Sequence, residues 1–155
     1  MTDIKILNRA EKAEVESNLR GQFGIGSVPG KIVKRNEERL FLFTGDIDEK
    51  RLERLEKITF IERMGVYFAK IEHGFIRLSI EGSQLLGPQA DKNIFSLDQN
   101  QTEEWMKGRE LLIRTGSKGF LIMKHGQDFL GTGKASEAKI GNFIPKTRRL
   151  KERQK

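Results

Sequence analysis

The chain has 155 residues, 36% hydrophobic and 33% charged, with 29 Lys+Arg against 22 Asp+Glu and a net charge of +7. That length buries one good core or two small ones, and the composition is that of a folded globular chain. No run reaches the roughly 20 apolar residues of a membrane-spanning helix, and zero cysteines remove disulfides, thiolate metal sites and cysteine nucleophiles.

The segment Met1-Thr2-Asp3-Ile4-Lys5 lacks the apolar core and small-residue cleavage site of a secretory signal, so a cytoplasmic protein is expected. Asn8 caps a short helix, with Glu11 at the capping-box position and Leu19 near its end. Its apolar face (Ala10, Ala13, Val15, Leu19) is weak. Residues 21–30 hold four glycines and Pro29 and read as a loop. Leu40-Phe41-Leu42-Phe43 reads as a strand covered on both faces. Asp46 with Glu49 opens a second helix carrying Leu52 and Leu55, and strands follow at 58–61, 66–71 and, after the turn Glu72-His73-Gly74, at 75–80.

Beyond this point short strands dominate. Segments 110–114 and 120–125 flank Gly116-Ser117-Lys118-Gly119 as a hairpin, and the turn Gly126-Gln127-Asp128 leads into 129–135. One short helix near 102–107 has Asn100 or Thr102 as its cap. The expected fold class is α+β: a mixed α/β N-terminal domain over 1–72, a small β pseudo-barrel over 73–150 and a basic tail over 151–155.

Nucleotide and catalytic motifs fail on spacing. In the loop at 21–30, Ile25 stands where a P-loop needs its first glycine, and Ile32 follows Lys31 where Ser or Thr belongs. Pro29 takes the third glycine position after Gly24 and Gly26, and Ser136 does so after Gly131 and Gly133. The two histidines, His73 and His125, sit beside glycines at turns, and no carboxylate pair stands out. The expectation is no catalytic residue, no metal and no cofactor. Phe41, Phe43, Phe60, Phe68, Phe75, Phe120 and Phe129 fall in apolar strand patterns and are assigned to the core, as are Trp105 and Met106.

Basic charge is concentrated at the end. Residues 146–155 hold six of the 29 basic residues and one of the 22 acids, a net +5, leaving 23 basic and 21 acidic residues, +2, elsewhere. Such a localised excess fits a polyanion, and it equally fits a solvated terminus. Just before it lie Leu130-Gly131-Thr132-Gly133-Lys134 and Asn142-Phe143-Ile144-Pro145-Lys146-Thr147-Arg148-Arg149. Read alone, the first of these is a tight Gly-x-Gly-Lys turn that lets a ligand approach the backbone, followed by cations suited to phosphate.

Together the two segments resemble the C-terminal PUA domain of Sun-type RNA cytosine methyltransferases, over about 20 motif residues and a domain of roughly 75–150. The resemblance implies RNA engagement through Gly131, Gly133, Lys134, Lys146 and Arg149, and closure of the barrel beside the Gly-x-Gly turn is expected to gather Lys134, Lys146, Arg148 and Arg149 on one face with it. Charge-neutral replacement of Lys134 or Arg149 is then expected to weaken RNA binding without changing thermal stability. The methyltransferase chemistry does not carry over, because this chain lacks the cysteine nucleophile and the Rossmann-like domain. The layout also resembles stand-alone PUA-class ribosome-biogenesis factors. The reading is a non-catalytic binder of structured RNA, ribosomal or transfer, in RNA modification or ribosome biogenesis. Its rival is a protein-interaction adaptor docking on an RNA-modifying enzyme or ribosomal protein. No membrane partner is expected.

Overall fold

The computed structural model describes residues 4–43 and 65–151, which form two sheets and three helices. The helix expected from Asp46 and Glu49, the strand at 58–61 with Phe60, and the tail residues Arg153 and Lys155 lie outside the described residues.

The first sheet is antiparallel throughout, in the order β1 (Ile4–Ile6), β2 (Lys31–Arg35), β3 (Arg39–Phe43), β4 (Val66–Glu72) and β5 (Phe75–Leu78). Helix α1 (Arg9–Phe23) opens with the expected capping box: the Asn8 side chain accepts from the Glu11 N–H while Glu11 accepts from the Asn8 N–H. It buries Val15, Leu19 and Phe23, at i, i+4 and i+8. The helix outruns its expected end, passing through Gly21 to stop at Gly24, whose φ of 75° forms a left-handed cap. Burial of Phe23 outweighs the helix-breaking tendency of one glycine.

The second sheet runs β6 (Ile94–Ser96), β7 (Gly119–His125), β8 (Asp128–Ala135), β9 (Ile140–Asn142), with β6 parallel to β7. Helix α2 (Ile80–Leu86) and helix α3 (Gln99–Met106) accompany it. Three expectations change here. Residues 79–80 leave the strand because the Ser79 hydroxyl accepts from the Gly82 N–H and starts α2 at Ile80. α3 begins earlier, capped by Asp98 with Gln101 completing the box, rather than by Asn100 or Thr102. The 110–114 segment pairs with β9 through the single bridge Leu111–Ile140, not with β7, so the expected hairpin across Gly116 is absent. Among the described residues the second sheet is the linear four-strand order above rather than a closed barrel.

β7 joins the two halves. Side chains alternate across a strand. Phe120 and Ile122 enter one core with Leu19, Phe23, Ile32, Leu40, Phe68 and Ile76 of the first sheet and α1. Leu121 and Met123 face a second core with Trp105, Leu97, Ile140 and Ile144. The expected boundary at His73 falls at the tight turn between β4 and β5, two paired strands of the first sheet.

Candidate nucleic-acid interface

The Gly-x-Gly-Lys segment is not a turn. It lies inside β8, where Leu130 and Gly131 oppose Met123 alone, giving a β-bulge with Gly131 at φ 82°. The bulge turns polar groups inward. The Gly131 N–H donates to Ser83 Oγ at 2.9 Å, Thr132 Oγ1 donates to the Leu78 carbonyl at 2.6 Å, and Trp105 Nε1 donates to the Leu130 carbonyl at 2.8 Å. Gly133 lies under the Trp105 ring, where a Cβ would come within 2.8 Å of that ring. The three hydrogen bonds hold α2, β5 and α3 against β8.

Much of the second segment is structural as well. Asn142 Nδ2 donates to the carbonyls of Trp105 and Arg109, both at 2.9 Å, closing the C-terminal end of α3. Arg149 is half-buried; its Nε donates to the Ile144 carbonyl at 2.9 Å, and it lies across Gly108 just past α3. The Leu150 N–H adds a bond to the Met106 carbonyl. Lys146 and Arg148 are exposed on the 3₁₀ turn Lys146–Arg148, and Arg148 pairs with Glu81 of α2. Burial would raise the Glu81 carboxyl, but the Arg148 hydrogen bond, a bond within its own backbone and the Arg148 charge hold it below the usual 4.5.

Two clefts flank the junction of the sheets. One, about 280 Å³, is lined by Arg39, Tyr67, Arg77, Gly131, Phe143 and Arg148, among others. The other, about 310 Å³, is lined by Glu72, His73, Phe75, Lys118, Phe120 and Lys134. Of the expected RNA-contacting residues, Gly131 and Arg148 share the first cleft and Lys134 lines the second. The Phe143 ring of the first cleft and the Phe120 ring of the second meet edge-on, with centroids 6.1 Å apart. The Arg77 guanidinium stacks 4.1 Å over Phe143, and that of Arg39 sits 5.8 Å over Tyr67. Burial raises the Tyr67 hydroxyl above its usual 10.0, against the opposing pull of Arg77 and Arg39.

Sequence reading missed Arg39, Arg77 and Lys118, and it placed Phe75 in the core, whereas Phe75 is 58% exposed at the β4–β5 turn. The available signal was a cation at an outward position of an apolar strand, as in Ile76-Arg77-Leu78.

Residues 92–150 match the family described as the methyltransferase RsmF PUA domain, and the second half of the chain carries a PUA-like domain. Over 139 residues, 90% of this chain, the sequence is 22% identical to the ribosomal RNA small subunit methyltransferase F of Vibrio vulnificus, in strains YJ016 and CMCP6 alike. The chain spans 28% of the length of these relatives.

Proposed function

We propose that the chain is an RNA-binding module for structured RNA, ribosomal or transfer, that serves RNA modification or ribosome biogenesis in the cytoplasm and does no chemistry itself. The observation that carries this reading is the coincidence of the PUA-like match at 92–150 with cations of the same region: Lys118, Lys134 and Arg148 line the clefts, and Lys146 is exposed on the same turn as Arg148. Phosphate contacts supply most of the affinity of such surfaces and make it fall with salt. A structured ribosomal RNA hairpin titrated against the full chain at several salt concentrations tests it. Lys134→Gln is expected to lower the slope of log affinity against log salt by about one unit. Binding that ignores salt, or no binding, would overturn the reading.

The adaptor reading keeps one observation of its own. Leu112 is 85% exposed beside a shallow groove lined by Glu104, Glu110 and Leu111. RNA-independent co-purification with one protein, lost in Leu112→Asp, would favour it.

A further inference from the structure

The pairing register of the first sheet places Arg35 opposite Arg39, Arg39 opposite Lys70, and Lys70 opposite Arg77. One row of four cations therefore crosses β2, β3, β4 and β5. Residues directly opposite project to the same side of a sheet, and like charges there repel. Strands lie about 4.8 Å apart, so the Arg39–Lys70–Arg77 stretch spans about 10 Å. Glu72 is the one acid bonded to this stretch among the described residues, 3.6 Å from both Lys70 and Arg77. One carboxylate cannot neutralise three cations. Arg39 is exposed, and Arg39 and Arg77 open into the same cleft as Arg148, which comes from the other half of the chain.

Beyond the Glu72 pairs and the ring contacts of Arg39 and Arg77, the chemistry that matches closely spaced guanidinium and ammonium groups is a run of phosphates. We propose that the first sheet is a second RNA-contacting element: an RNA backbone crosses Arg39, Lys70 and Arg77 and passes between them and Arg148. This rests on the RNA-binding reading above and extends it to the N-terminal half, outside the PUA-like match.

The test is a salt titration of the same ribosomal RNA hairpin against the full chain and its Arg39→Gln/Lys70→Gln double variant, with melting followed through Trp105 fluorescence. Removing two phosphate contacts is expected to lower the salt slope by about two units and weaken binding at least tenfold. Melting temperature is expected to hold, because the relaxed repulsion offsets the lost Lys70–Glu72 pair and Arg39–Tyr67 contact. The charge-preserving Arg39→Lys/Lys70→Arg variant is expected to keep the wild-type slope. If the slope is unchanged in the neutral double variant while Lys134→Gln still reduces it, the first sheet is not an RNA element and the RNA reading stands. Equal loss of binding in the neutral and charge-preserving variants, with a lower melting temperature, would make the row structural and overturn the proposal. Absence of RNA binding by the wild-type chain at low salt would remove the underlying reading itself.

Discussion

Gly133 sits where no side chain fits: a Cβ there would lie 2.5 Å from Ile140 Cγ2 and 2.8 Å from the Trp105 ring. Both neighbours are fully buried, so neither can move aside without disturbing the second core. Gly133→Ala is expected to cost about 1–3 kcal/mol, read as a lower midpoint in urea unfolding. Arg149 makes a related point. Because it bonds the Ile144 carbonyl and lies over Gly108, Arg149→Gln is expected to lower melting temperature, contrary to what its basic character alone implies. Lys134 is exposed, and its neutral variant should keep the wild-type melting temperature. Glu81 adds a pH dependence. Its carboxyl is held below 4.5, so the folded state binds fewer protons there than the unfolded chain. Its contribution is complete above 4.5 and lost as pH falls through the folded value. The melting-temperature gap between wild type and Glu81→Gln should therefore be present at neutral pH and close on acidification.

At the scale of elements, α1 contains a glycine without a purpose in packing. Gly21 has open space around the position of a Cβ and lies within the helix. Gly21→Ala is expected to stabilise by about 0.5–1 kcal/mol, measured as a higher urea midpoint. Elements with local causes were legible in the sequence: the Asn8–Glu11 box, the strand at Leu40, the turn at His73–Gly74 and the turn at Gly126. Those decided by distant partners were not. Nothing local shows that residues 110–114 bridge β9, or that Ser79 ends β5 to start α2. The Gly-x-Gly segment has turn composition and is a bulged strand, because Ser83, Leu78 and Trp105 satisfy it there. The candidate interface divides the same way. Lys134, Lys146 and Arg148 stand out by composition, whereas Arg39, Lys70 and Arg77 become neighbours only through register.

For the whole molecule, the two sheets share a core. Phe120, Ile122 and Phe129 pack with residues of α1 and the first sheet, and Phe129 lies against Gly87. A fragment beginning at residue 92, where the PUA-like match starts, would expose those side chains to water. Such a fragment is expected to bind the dye ANS and to self-associate, which light scattering would show, whereas the full chain should do neither. Relatives that align over 90% of this chain, and not over 92–150 alone, fit this mutual dependence.

β7 also sets an order in time. A ribosome delivers residues 4–91 before residues 92–151, and the earlier part holds α1 and the whole first sheet, yet one wall of its core arrives only with Phe120, Ile122 and Phe129. During that interval those core residues lack the cover that Phe120, Ile122 and Phe129 give them, and apolar surface of that kind recruits chaperones. Strand β7 contributes to both cores, because its odd and even residues belong to different ones. A slip of one residue there would exchange the two sets of side chains. The bulge at Gly131, where the register of β8 against β7 shifts, thereby keeps each set of side chains in its own core.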